Sequence, residues 1–114
     1  MMLPFSPSRR IGNVIAISGQ VGVRDGTLVT GGFRAELQQA LDNLGRVLAD
    51  AGIDRRDVIK VNVYLTDIGD WQQLNAPYAA FFGQPYPART ALAIVALPMG
   101  AHVEIEAWAV SAAD

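Results

Sequence analysis

The segment Val58 to Thr66 (VIKVNVYLT) alternates without a break. Ile59, Val61, Val63 and Leu65 point one way; Lys60, Asn62, Tyr64 and Thr66 point the other, because successive side chains of a strand leave opposite faces. A strand of this kind has one face to bury and one to leave open. The rest of the chain must supply a layer that covers the apolar face.

Phe33 to Ala51 supplies it. Leu37, Leu41, Leu44, Leu48 and Ala51 recur at spacings of three and four, which is one stripe of a helix, and Gly52 reads as the stop. Gln38, Gln39, Asp42, Arg46 and Asp50 are predicted to form its solvent face. A second helical region begins near Asp70, with Trp71, Leu74, Tyr78 and Phe81 or Phe82 on one face. Pro77 is awkward inside a helix, so Asn75 is expected to cap a fresh turn that holds Pro77 near its start.

The remaining strands are short. Asn13 to Gln20 is rich in Val and Ile; Asp25-Gly26 is a hairpin signal, with Thr27 to Val29 as its return strand. Thr90 to Leu97 and Val103 to Val110 flank the turn Pro98-Met99-Gly100. The order ββαβαββ implies an α+β sheet with both helices on one face. The other face is predicted to carry Ser18, Gln20, Asn62, Tyr64, Thr66, Glu104, Glu106 and Trp108. That mixture fits either a solvated face or an interface holding a site.

With 114 residues, half of them apolar, the chain makes a single domain over residues 1–114. It has no cysteine and one histidine. Disulfides, a thiol nucleophile and a cysteine- or histidine-rich metal centre are therefore outside its chemistry. Net charge is −2, and the only basic clusters are Arg9-Arg10 and Arg55-Arg56, so no nucleic-acid footprint is expected. The start of the chain lacks a signal-peptide core, and the apolar run near Ala91 to Leu97 is far short of the ~20 residues of a membrane span. A cytoplasmic protein without a membrane partner is expected.

Few residues remain to carry chemistry. His102 stands beside a turn and reads as a surface residue, and Ser18-Gly19-Gln20 is no nucleophile elbow. Glu104 and Glu106 share one face of their strand. There they are either solvated or, if the face is covered, brought close enough for one to serve in proton transfer. Arg89, at the entry to a strand, is either a surface residue or a fork for a carboxylate. If the last two strands pair about Pro98-Met99-Gly100, Glu104 lies opposite Ile94 and Arg89 is roughly 16 Å away. A small substrate touching both would then need two chains.

The stretch Pro87-Ala88-Arg89-Thr90, followed by Leu97-Pro98 and Val103-Glu104-Ile105-Glu106-Ala107, resembles the Rid family of reactive intermediate deaminases (also called YjgF, or L-PSP endoribonuclease proteins). Gly12-Asn13, Ser18-Gly19-Gln20, Ala40-Leu41-Asp42-Asn43-Leu44, Val58-Ile59-Lys60-Val61, Asn75, Tyr78 and Phe81-Phe82-Gly83 fall in the order the family shows.

The resemblance implies a chorismate-mutase-like fold and a homotrimer, its sheets packed into a central barrel with clefts between subunits. It implies hydrolysis of 2-imino acids and their enamine tautomers to 2-oxo acids and ammonia, with no cofactor. By the same resemblance Arg89 clamps the substrate carboxylate, Glu104 activates water, and Ser18 and Asn75 line the cleft. Two positions depart from the pattern. Phe5 stands where the deaminases typically carry a tyrosine, and Ala91 where many members carry cysteine. Ala91 can still act through its backbone. The alternatives are a module that binds small carboxylates without turnover, slightly favoured by Phe5 and Ala91, and an endoribonuclease, against which the acidic charge balance counts. A deaminase of a larger aminoacrylate is a further possibility.

Overall fold

The computed structural model, which describes residues 2–111, builds one mixed sheet with two helices on a single face. The elements are β1 (Ser8–Ile11), β2 (Val14–Val21), β3 (Val23–Arg24), β4 (Thr27–Leu28), α1 (Gly32–Asp50), β5 (Val58–Leu65), α2 (Asn75–Phe82), β6 (Ala88–Ala93) and β7 (Val103–Val110). The five-stranded sheet runs β1-β2-β7-β5-β6. All its pairs are antiparallel except β5–β6, the two strands joined through α2. A parallel pair needs such a crossover, because the chain must return to the end at which it started.

The core lies where the periodicities place it. Leu37, Leu41, Leu44 and Leu48 of α1 are fully buried against Val61, Val63 and Leu65 of β5, Val103 and Ile105 of β7, and Ile15 and Ile17 of β2. Leu74, Tyr78 and Phe82 close the core from the second helical segment. The helix end at Gly52 is as predicted: Gly52 has φ 71, and its N–H donates to the Ala49 carbonyl at 3.0 Å.

Five expectations need correction. First, β5 does not alternate unbroken. A bulge between Val58 and Lys60 lets Val58 pair with Ala109 and Lys60 with Trp108, so Val58 is buried and Ile59 is turned out, 52% exposed. One extra residue in a strand reverses the facing of everything on one side of it.

Second, the strand beside β2 at the sheet edge is Ser8–Ile11, a segment without an apolar pattern. Thr27–Leu28 pairs instead with Val23–Arg24 in a separate hairpin, whose turn has φ 54 at Asp25 and φ 79 at Gly26, the doubly left-handed turn that an Asp-Gly pair favours.

Third, the last two strands do not pair with each other. The predicted strand Thr90 to Leu97 ends at Ala93, and β5 lies between β6 and β7. Fourth, Gln39 is buried rather than solvent-facing and donates to Asn43 at 2.9 Å. Asn43 in turn donates to the carbonyls of Val21 and Val23 and ties α1 to the small hairpin.

Fifth, Asn75 is already helical and caps nothing. Single 3₁₀ turns at Ile68–Asp70 and Gln72–Leu74 lead into α2. Pro77 does fall within the first turn, where its missing N–H costs little.

Candidate active site

The expected site residues separate into two groups, one on each face of the sheet. Arg89 pairs with Val61, a core residue facing the helices, so its side chain leaves the sheet on the helix side. There Arg89 Nη2 donates to Asn75 Oδ1 at 2.9 Å. Its guanidinium lies 4.9 Å from the Tyr78 ring centre and 5.2 Å from that of Trp71, distances at which an aromatic face attracts a cation. Arg89, Asn75 and Tyr78 line a cavity of about 260 Å³ together with Ala79, Tyr86 and Pro87.

Asn75 therefore holds the arginine rather than the helix end. Ala91 pairs with Val63 on the same side and packs on the core. Burial pushes the Tyr78 phenol up to about 12, against a smaller opposing effect of Arg89, and its hydroxyl is buried with no hydrogen-bond partner.

The second group stands on the open face. Glu104 pairs with Tyr64, and Glu106 with Asn62. Glu106 accepts hydrogen bonds from Asn62 Nδ2 at 3.2 Å and from the Tyr64 hydroxyl. That acceptor, and after it burial, raises the Tyr64 phenol. Burial, then the negative charge of Glu106, pushes the Glu104 carboxyl above its usual range.

A bulge in β2 between Ile17 and Gln20 places Ser18 and Gly19 beside this pair. A side chain at Gly19 would stand 2.2 Å from Glu104 Oε2 and 2.7 Å from its Cδ, so glycine makes the space in which the carboxylate lies. The same bulge brings Gln20 opposite Ile105, a helix-facing core residue, and so removes Gln20 from the open face on which the alternation had put it.

Ser18 sits at the bulge with both backbone and hydroxyl engaged. Its N–H donates to the Pro7 carbonyl at 2.9 Å, and its Oγ to the Ser6 carbonyl at 2.6 Å. These bonds draw the N-terminal segment across the sheet, and a cavity of about 430 Å³ opens between Phe5, Ser18, Arg9, Glu106 and Trp108. Phe5 is 65% exposed. The rest of the open face is largely apolar: Val14 pairs with Val110 and Ala16 with Trp108, and Leu92 lies beside Tyr64.

His102 is a surface residue as expected, its side chain half exposed, but it is tied to α1. Its backbone N–H donates to Glu36 Oε1 at 2.7 Å, and its ring Nδ1 lies 2.5 Å from Glu36 Oε2. Glu36 is almost fully buried on α1. Its carboxylate raises the His102 imidazole.

Sequence reasoning missed Glu36, Gly19, and the hold of Trp71 and Tyr78 on Arg89. Each depends on an approach between elements distant in the chain. The alternation of β5 puts Tyr64 and Asn62 on the open face, but their bonds to Glu106 depend on the pairing of β5 with β7. Among the described residues no three His, Asp or Glu side chains gather as a metal ion would need. No helix among them is long and apolar enough to cross a membrane.

Comparison with known proteins agrees with this architecture. The human 2-iminobutanoate/2-iminopropanoate deaminase is 42% identical over 109 residues, which cover 94% of this chain and 80% of that protein. The mouse deaminase of the same name is 45% identical, over 94% and 81%. The crystal structure of RidA from the Antarctic bacterium Psychrobacter sp. superposes with a TM-score of 0.90 at 38% identity, covering 97% of this chain and 91% of that one. The sequence profile described as "Endoribonuclease L-PSP" matches residues 1–111, and the chain belongs to that family, the Rid (YjgF) family.

Proposed function

We propose that the protein hydrolyses 2-imino acids and their enamine tautomers to 2-oxo acids and ammonia, in a cleft between neighbouring copies of a homotrimer. The observation that carries this reading is the identity of 42–45% to proteins named as imine deaminases, together with an arginine whose fork is oriented but only partly used. Asn75 engages one nitrogen of the Arg89 guanidinium, which leaves N–H groups for a bidentate carboxylate.

A protonated imine carbon is already electrophilic, so the protein need only orient it and supply a water. Arg89 fixes the carboxylate. Glu104 of a neighbouring copy takes a proton from the water as its oxygen bonds to the imine carbon. The same carboxyl then returns the proton to nitrogen; the C–N bond breaks, ammonia leaves, and the remaining hydroxyl proton is released to solvent as the carbonyl forms, which balances the proton taken up when the imine was protonated. The net change is imine plus water to ketone plus ammonia, with no electron transferred. Acid–base help of this kind is worth about 10²–10⁴-fold. A base with a raised pKa suits the task, because it accepts the proton more readily near neutral pH.

A reading in which Arg89 and Glu104 act together needs a neighbouring copy. Arg89 and Glu104 cannot converge within one sheet when they leave it on opposite faces. The apolar open face of Val14, Ala16, Trp108, Val110 and Leu92 suits burial against another subunit. The trimer expected from the family supplies that arrangement.

One observation favours a second reading, a carboxylate-binding module without turnover. Phe5 carries no hydroxyl, so a protonated imine nitrogen has one polar partner fewer on this side, while the Ser18 hydroxyl, donating to the Ser6 carbonyl, keeps only its lone pairs for a ligand. A coupled assay decides between the two. An amino-acid oxidase generates 2-iminopropanoate in situ, and oxo-acid appearance is followed with and without the protein. Acceleration is expected; tight oxo-acid binding by calorimetry with no acceleration would establish the second reading.

A further inference from the structure

Two carboxylates share one face of β7 and are treated differently by the surrounding chain. Glu106 accepts from Asn62 and from Tyr64. The Glu104 carboxylate, among the described residues, accepts from no side chain and no backbone group; on β2 it lies in the space that a side chain at Gly19 would take. A group that must hold a water and take its proton needs free lone pairs, whereas a group that must remain a fixed anion needs donors. Two residues along a strand are roughly 7 Å apart, near enough for a charge at one carboxylate to be felt at the other on a half-buried face.

We propose that Glu106, held by Asn62 and Tyr64, is a positioning residue whose fixed negative charge makes Glu104 the proton acceptor of the pair. The proposal rests on the assignment of Glu104 as base. Glu106 itself neither gains nor loses a proton: the water proton goes to Glu104 and later to the departing nitrogen. The groups facing Glu104 are few. Glu106 lies on its own strand, Tyr64 faces it from β5, and β2 brings the uncharged Ser18, Gly19 and Val21. Lys60, the cation of β5, stands further along beside Trp108, where its Nζ donates to Thr90. The direction of the Glu104 shift, upward by burial and by Glu106, agrees with this arrangement.

The test is the pH profile of kcat/KM on 2-iminopropanoate with the full chain. In Glu106→Gln the amide can still accept from Tyr64, but the charge is gone. The acidic limb is expected to move down by about half to one pH unit, and plateau kcat to fall a few-fold at unchanged KM. Glu106→Asp keeps the charge and is expected to restore the limb. Carbon-13 NMR titration of the Glu104 carboxyl reads the same shift without any turnover. Tyr64→Phe is a second and milder variant, expected to lower kcat without raising KM. Profiles and Glu104 titrations that superimpose for wild type and Glu106→Gln, beside an inactive Glu104→Gln, would overturn this inference and leave the base assignment standing. Full activity in Glu104→Gln would overturn both.

Discussion

Arg89 and Glu104 leave the same sheet on opposite faces. Val61 sets the first, because Arg89 pairs with it and both turn toward the helices; Tyr64 sets the second, because Glu104 pairs with it on the open side. One copy of the chain therefore presents a cation at one surface and a carboxylate at another. In the reading proposed here, catalysis needs one from each of two copies.

Replacing Arg89 by alanine is expected to lower kcat/KM on in situ 2-iminopropanoate by at least about 10²-fold, since the substrate loses its orienting fork. Far-UV circular dichroism and sedimentation should match the wild type. Activity near the wild-type level would remove Arg89 from the site.

Glu104→Gln keeps the shape of the side chain and removes the base. A kcat loss of about 10²-fold or more is expected, with pyruvate affinity by calorimetry nearly unchanged. A variant that loses affinity and keeps kcat would mark Glu104 as a binding group instead.

Gly19→Ala places a methyl where the Glu104 carboxylate lies, 2.2 Å from Oε2. The obstacle is the far end of a flexible side chain, so the fold should survive with a small change in Tm. The carboxylate must move by about an ångström, and such a displacement can cost about 10²-fold in rate. Unaltered kcat would show that the space beside Gly19 is not needed for the reaction.

The Glu36–His102 pair makes a prediction about pH and stability. Glu36 raises the His102 imidazole in the folded protein, so the folded state binds the proton more tightly than the unfolded state. The stabilisation is fully present below the unfolded value of about 6.5 and is lost as pH rises through the higher folded value. Thermal melts at fixed protein concentration should show wild-type Tm falling more between pH 6 and pH 8 than that of His102→Gln, with those two pH values bracketing the unfolded pKa to about a unit. Parallel curves would mean that the pair contributes nothing to stability.

Leu41 is fully buried between α1 and the sheet. Leu41→Ala should cost about 2–5 kcal/mol of stability, measurable by urea denaturation under conditions that keep the oligomeric state constant.

The sequence alone determined the layers. Leucines at helical spacing and a strand of period two can satisfy their apolar faces only against each other, so α1, β5, β7 and the helix-facing core followed from local pattern. Local pattern also put Glu104 and Glu106 on one face, because that needs only the geometry of a single strand.

Tertiary structure decided what depends on partners far along the chain. Strand order is such a property: Thr90 to Ala93 looked like the natural mate of β7, yet it joins the far side of β5, because α2 returns the chain parallel to β5. Two bulges, at Ile59 and at Ser18-Gly19, add single residues that no periodicity announces, and each changes which side chains meet across the sheet. The neighbours that tune the candidate site were set in the same way. Asn75 and Tyr78 at Arg89, Tyr64 at Glu106 and Glu36 at His102 are contacts across sequence separations that only packing can close.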